Sequence, residues 1–223
     1  MKLIQTAGAC ALALVLASAA SPAAAQLGPL NRLVPGASTS NAAAVDPDAF
    51  LAETLETTKM MMVAAFVLAR ASETDGSRDE MRAELAELQG MSSMDELNAR
   101  QDQFEADLAA VNANYSDADG VRAKYDAASR EQQELLLSAA YNFTLAMVRN
   151  VQLAQQAPDL LQSIGRNPML LRKAGSLRSA ASLVGKQVNA ARSMGEPLRI
   201  LMSRGGVEAP TDAEASEPRT VTI

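Results

Sequence analysis

Residues 135–148 read LLLSAAYNFTLAMV, an uncharged stretch of fourteen residues that lies between Glu134 and Arg149. The stretch is dominated by Leu and Ala, which favour helix, and contains no run of β-branched residues. A helix that spans a membrane needs about 20 apolar residues, and this stretch is shorter and carries Asn142 near its middle. It therefore predicts the central, buried helix of a helical domain, extending over about 129–156.

Three further long helices are predicted around this one. Apolar residues recur at four- and three-residue spacing over about 47–71, and a single apolar stripe runs through about 94–113. The region of about 169–194 carries a coiled-coil-like seam. The seam consists of Leu170, Ala174, Leu177, Ala181, Val184, Val188 and Ala191. Because short connections favour antiparallel neighbours, the sequence predicts an all-α fold, an antiparallel bundle of about four long helices with shorter helical connectors.

Several helix ends can be placed from capping residues. Asp46 can cap a helix whose first position is Pro47, where the missing N–H of proline is harmless. The segments 77–80 and 93–96 both have the Ser-x-x-Glu pattern of a capping box. Pro158 suits the start of a helix, so we expect the central helix to end shortly before it.

The composition along the chain divides it into four parts. Residues 1–25 are expected to be a signal peptide, and residues 26–45, rich in Pro, Gly and Ser, a flexible linker. Residues 46–204 are expected to form a single helical-bundle domain. The last part, 205–223, contains two prolines and four acids and is expected to be a disordered acidic tail.

The first part has the three regions of a secretory signal. Lys2 supplies the positive charge, residues 3–20 are uncharged, and Ala23, Ala24 and Ala25 offer the small side chains that signal peptidase requires. We expect cleavage near Ala25 and export to the periplasm or the extracellular space. The apolar run is too short to serve as an anchor, so no transmembrane segment is expected in the mature chain.

The sequence lacks the side chains that most catalytic and metal sites use. It has no His, and its single Cys, Cys10, lies within the expected signal peptide. The commonest general base, the commonest metal ligands and the thiol nucleophile are therefore all missing from the expected mature chain. We expect a protein that is not an enzyme and that has no cofactor and no metal.

Charge is distributed unevenly between the two halves of the domain. Residues 45–144 have 20 acids and 8 bases, whereas residues 145–204 have 9 bases and 2 acids. One interpretation is that the two halves pack together and neutralise each other. The other is that the bases of the last long helix form an exposed face that binds a partner. The candidate partner-binding residues are Arg172, Lys173, Arg178, Lys186 and Arg192.

These features predict a non-catalytic interaction or structural module of the cell envelope. Its partner would be a protein or an anionic envelope component. Nucleic acid is not expected, because no aromatic side chains are interleaved with the bases. The alternative is a periplasmic carrier of a small ligand or lipid, with an apolar pocket between helices and an adaptable, Met-rich first helix.

Overall fold

The computed structural model describes residues 45–71, 78–115 and 117–223, whose regular secondary structure consists of helices without a strand. The α-helices are α1 (Pro47–Arg70), α2 (Arg78–Gly90), α3 (Met94–Ala99), α4 (Gln101–Asn114), α5 (Ala118–Ala127), α6 (Arg130–Ile164), α7 (Ala174–Ala191) and α8 (Gly195–Arg204). Two 3-10 helices, Pro168–Lys173 and Arg192–Met194, flank α7. The all-α prediction is confirmed. The predicted signal peptide and nearly all of the predicted linker lie outside the described residues.

Helix α1 lies at the centre of the structure. Its start is the one expected, since the Asp46 carboxylate accepts from the main-chain N–H of Asp48 at 2.9 Å and Pro47 is the first helical residue. Every residue in 61–69 is buried. The helix packs most extensively against α6 and also contacts α4, α2 and α7. A helix that is apolar on all sides needs neighbours on all sides.

The expected central helix, α6, is longer than predicted. A capping box between Ser129 and Gln132 starts it. Pro158 does not start a new helix but lies inside α6, which continues to Ile164. Burial at positions 153, 157, 160 and 164 keeps the four-three spacing through the proline. The apolar stripe beyond Pro158 thus remains in register with the core and outweighs the lost helical hydrogen bond.

The predicted helix over about 94–113 is interrupted. It is present as α3 and α4, separated at Arg100, whose φ of −99° and ψ of 6° are not helical. Arg100 forms ion pairs with Glu84 and Glu87 of α2. The start of α3 agrees with the sequence, because the capping box between Ser93 and Glu96 is formed. The other predicted capping box, at 77–80, begins in a segment outside the described residues.

A polar cluster joins three helices inside the core. Gln187 of α7 donates to the Thr58 hydroxyl of α1 at 3.1 Å, and Asn150 of α6 donates to the Gln187 side-chain oxygen at 2.9 Å. Gln187 and Asn150 are both fully buried, and so is Thr58. A buried amide that lacks a partner is costly, so these bonds favour a single register among α1, α6 and α7.

The order of contacts shows how α1 and α6 run. Gln132, near the start of α6, donates to the main-chain oxygen of Ala71 beyond the end of α1. Asn150, farther along α6, contacts the sulfur of Met61, which is earlier in α1. Residue numbers therefore rise along α1 as they fall along α6, which favours the antiparallel pairing predicted for these two helices.

Helix α8 ends in a Schellman cap that turns the chain back. Gly206 has a φ of 68°, its N–H donates to Ser203, and the N–H of Val207 donates to Met202 at 2.8 Å. Glycine is favoured at such a left-handed position. At Gly205 a Cβ would lie 2.4 Å from the methyl carbons of Leu137, so a larger residue there requires the leucine side chain to shift.

The prediction of a disordered tail over 205–223 is not confirmed. These residues form no helix after the cap, but they are bonded to the body of the protein and include a turn at 213–215. Asn142 pairs with both main-chain groups of Arg219, and Arg149 donates to the carbonyl oxygens of Ala213 and Ser216. Main-chain groups, which are present in every sequence, accept or donate these hydrogen bonds. Composition gives no sign of such bonds, and for that reason it predicted disorder.

The carboxyl of Glu53 on α1 lies half-buried near this tail. Burial raises the pKa of Glu53, the charge of Arg149 opposes the rise, and the charge of Glu214 adds to it. The folded state therefore holds a proton on Glu53 to a higher pH than the unfolded chain does. Ionised Glu53 costs folding stability at neutral pH, and the cost disappears as the pH falls through the raised pKa.

We expect Glu53→Gln to raise the free energy of unfolding at about pH 7, because the glutamine carries no charge to desolvate. The gain over the wild type should shrink as the pH falls toward the acidic range, where Glu53 itself becomes protonated. Urea unfolding at a series of pH values measures the gain at neutral pH and its decrease toward acidic pH. Glu56→Gln, exposed on the same helix, is the matched control. A Glu53→Gln variant less stable than the wild type at neutral pH would contradict the assignment.

We also expect Gln187→Met to lower the free energy of unfolding by about 1–3 kcal/mol, because Thr58 and Asn150 are left buried without their partner. Gln155→Met, at an exposed position of α6, should change it little. Adding Thr58→Val and Asn150→Leu to the Gln187→Met variant should recover part of the loss, since no amide or hydroxyl is then orphaned. Denaturant unfolding measures the free energy of unfolding of the three variants. An equal loss in Gln187→Met and Gln155→Met would refute the role of the cluster.

Candidate partner-binding surface

The five candidate residues lie on three consecutive helical segments. Arg172 and Lys173 end the first 3-10 helix, Arg178 and Lys186 belong to α7, and Arg192 begins the second 3-10 helix. Arg172, Arg178 and Lys186 are exposed, whereas Lys173 and Arg192 are half-buried. The structure thus divides the set into three outward-facing cations and two that contact the fold.

The burial of Gln187 explains why Arg178 faces outward. The two residues are nine positions apart, which in an α-helix places them about 180° apart around the axis. Leu177, Val184 and Gln187 are all buried on the inner side of α7. The side of α7 that bears Arg178 and Lys186 therefore cannot turn inward without bringing Gln187 out of its hydrogen bonds.

Arg172, Arg178 and Lys186, named here the basic face, differ from most bases of this protein in having no partner. Within 45–71, 78–115 and 117–223, the only other base of this kind is Arg166, which is also exposed. All the remaining bases contact a carboxylate, an amide or carbonyl oxygen, or an aromatic ring, or are otherwise engaged. In the sequence, Arg166 is one of the nine bases of residues 145–204, and it was not predicted as a partner-binding residue.

The interpretation that the two halves neutralise each other holds for two contacts. Lys173 forms an ion pair with Asp48 at the start of α1 at 2.5 Å, and Arg204 forms a two-pronged pair with Asp126 at 2.8 and 2.9 Å. The hydrogen bond from Arg204 lowers the pKa of Asp126. Both pairs are solvent-exposed, so each contributes little to stability. They leave the basic face without a counter-charge.

Two shallow clefts lie at α8 rather than at the basic face. One, of about 280 Å³, is lined by Arg122, Arg199 and Arg204 with Ile200 and Ser203. The other, of about 360 Å³, lies between Arg199 and the segment 206–209. Each of the three arginines is held by an acid in its own vicinity, Asp119, Glu196 and Asp126 respectively. Neither cleft is the apolar pocket between helices that a carrier requires, and the carrier hypothesis stays a prediction.

The described residues offer neither a metal site nor a membrane-spanning helix. No group of three His, Cys, Asp or Glu side chains within them could hold a metal ion. None of the helices described is long and apolar enough to cross a membrane.

Comparison of the chain with protein-family models, with curated proteins and with solved structures gives no match. Its function is therefore inferred from the placement of its own residues.

We expect the double variant Arg178→Glu and Lys186→Glu to have a free energy of unfolding within about 0.5 kcal/mol of the wild type, because neither side chain has a partner to lose. Arg70→Met should be destabilising by about 1–3 kcal/mol. Arg70 lies over the Phe66 ring at 4.3 Å and is paired at 3.0 Å with Asp107, which is buried. Thermal and urea unfolding compare the two, and a large loss in the double variant would show that the basic face has a structural role.

Proposed function

We propose that this protein is an exported, non-catalytic interaction module of the cell envelope that binds an anionic surface through its basic face. The observation that carries the proposal is the concentration of unpaired cations on one stretch of the chain. These cations, including Arg166, all lie within 166–186, and outside that stretch every Arg and Lys of the described residues has a partner. Cations that fold without a partner are free to meet one from outside at little desolvation cost.

The fold supports the proposal by holding the basic face rigid. We infer an antiparallel helical bundle in which α7 is fixed by the buried bonds of Gln187. Small side chains surround the two α7 cations, and a Cβ added at Gly175 or Gly185 would meet nothing within 4 Å. The space beside these two glycines is therefore open to solvent.

We propose that residues 1–25 direct export, so that the partner would be a component of the envelope. The anionic components accessible there include phospholipid headgroups and acidic polymers. A polybasic surface near an anionic bilayer gains about 1 kcal/mol for each Lys or Arg, and the gain falls with salt. The whole chain has a net charge of −6 and is on balance repelled by an anionic surface. The three residues of the basic face would therefore supply most of the attraction to it.

We expect the chain to cosediment with vesicles of phosphatidylethanolamine and phosphatidylglycerol, and not with phosphatidylcholine vesicles. The triple variant Arg172→Glu, Arg178→Glu and Lys186→Glu should weaken this binding by roughly 100-fold or more, since about 3 kcal/mol of attraction is removed. Raising the salt concentration should weaken wild-type binding in the same direction.

The matched control is Arg122→Glu, Arg130→Glu and Arg199→Glu, which changes the net charge equally at three exposed bases that already have acidic partners. It should retain most of the binding. Equal loss in both triple variants would mean that net charge, not the basic face, determines binding. Undiminished binding of the first variant would refute the proposal.

A further inference from the structure

Two leucines differ from the other large apolar residues in being exposed to solvent. Leu171 is 61% exposed and Leu161 is 37% exposed, and they are the only large hydrophobic side chains of this kind among those that the structure describes. Leu161 lies near the end of α6, and Leu171 lies on the 3-10 helix Pro168–Lys173, which contacts α6. Both leucines therefore flank the connection between α6 and α7, and we name the stretch 161–172 the anchoring segment.

The anchoring segment also carries cations without a partner. Leu171 directly precedes Arg172 of the basic face, and Arg166 lies midway between the two leucines. Both arginines are exposed. The nearest acid before the segment is Asp159, which lies about 200° from Leu161 around the axis of α6. Exposed apolar side chains and uncompensated positive charge thus occur together in one short part of the fold.

The neighbours of Leu171 hold it at the surface. Leu170 packs against the hydrophobic core, and its N–H donates to the carbonyl oxygen of Asn167 at 3.0 Å. On the other side, Lys173 forms its ion pair with Asp48 of α1, and Ala174 is buried. Leu171 lies between these attachments, so its exposure is a property of the folded connection rather than of a loose end.

The small size of the apolar feature favours a lipid bilayer over other anionic partners. A stable protein interface buries about 1,000 Å² or more, which two leucines cannot supply. An acidic polymer attracts the arginines but has no apolar interior to receive a leucine. A bilayer offers both, because its headgroups meet the cations while the acyl chains just beneath them accept an apolar side chain.

We propose that the anchoring segment attaches the protein to an anionic bilayer, with Leu171 inserted below the headgroups and Arg166 and Arg172 bound to their phosphates. This inference rests on the proposed binding of an anionic surface and specifies its partner. The outer side of α7, with Arg178 and Lys186, then lies along the headgroups. Insertion adds a contribution that salt does not screen, because it comes from the burial of apolar area.

The chain contains no Trp, so Leu171→Trp introduces a single fluorescent reporter at the inserted position. We expect the tryptophan emission to shift to shorter wavelengths when vesicles of phosphatidylethanolamine and phosphatidylglycerol are added. Lipids brominated along their acyl chains should quench it. Vesicles of phosphatidylcholine should have no effect, because they do not attract the cations.

Ser203→Trp is the matched control. Ser203 is exposed on α8, close to Gly205, which lies beside Leu137. Leu137 is near the start of α6, about 36 Å along that helix from Leu161. A tryptophan at this distance from the anchoring segment should show neither the shift nor the quenching. Circular dichroism checks that both variants keep their helices.

A second variant, Leu171→Asn, measures what insertion contributes to affinity. It should bind the anionic vesicles about tenfold or more weakly than the wild type, since a leucine side chain is no longer buried. The dependence of its affinity on salt should be unchanged, because every cation remains. Ser203→Asn should bind like the wild type.

Three results would overturn the anchoring role while leaving anionic binding in place. They are cosedimentation of Leu171→Trp without a change in its emission, equal quenching in Leu171→Trp and Ser203→Trp, and undiminished affinity of Leu171→Asn. If the wild-type chain does not cosediment with the anionic vesicles at all, the proposed anionic binding fails and the anchoring role fails with it.

Discussion

The hydrogen bonds of Gln187 are the constraint on which the rest of this structure depends. Gln187 is fully buried and bonded to Thr58 of α1 and Asn150 of α6. Apolar contacts between helices tolerate sliding and rotation, whereas a buried amide loses its partners as soon as its helix turns. The cluster thus fixes the rotation of α7, and that rotation determines which of its side chains meet solvent.

The basic face follows from this rotation together with the distribution of acids. Acids are plentiful on α1 to α5, and each base there has a partner close by in the chain or in the fold. On the outer side of α7 the acids are absent from the sequence itself, because 160–195 contains no Asp or Glu. Exposed cations at fixed positions, with no acid of their own helix beside them, are the arrangement expected of a surface that meets an external anion.

The sequence predicted the helices well, because helix signals are local. The caps at Asp46 and Ser93 and the four-three spacing in α1 and α7 each involve residues within a few turns of one another. Three features depended on distant residues and were missed or misplaced. They are the continuation of α6 through Pro158, the break at Arg100 held by α2, and the docking of the segment 207–223.

The candidate site was predictable in composition but not in detail. Charge counting located the bases on 172–192, but it could not separate Lys173, which binds Asp48, from Arg178 and Lys186, which bind nothing within the described residues. The distinction requires knowing that the start of α1 lies beside the start of α7. Nor could spacing alone show that Gln187, a polar residue beside the seam, is the residue that orients the helix.

Lysine footprinting by mass spectrometry tests the central claim most directly, because the described residues contain few lysines and each has a different environment. Acetylation rates are compared with and without vesicles of phosphatidylethanolamine and phosphatidylglycerol. The account predicts that Lys186 reacts rapidly in the free protein and is strongly protected when vesicles are bound, while Lys59 and Lys124, which lie on other helices, keep their rates. Bound protein in which Lys186 remains as reactive as before would contradict it.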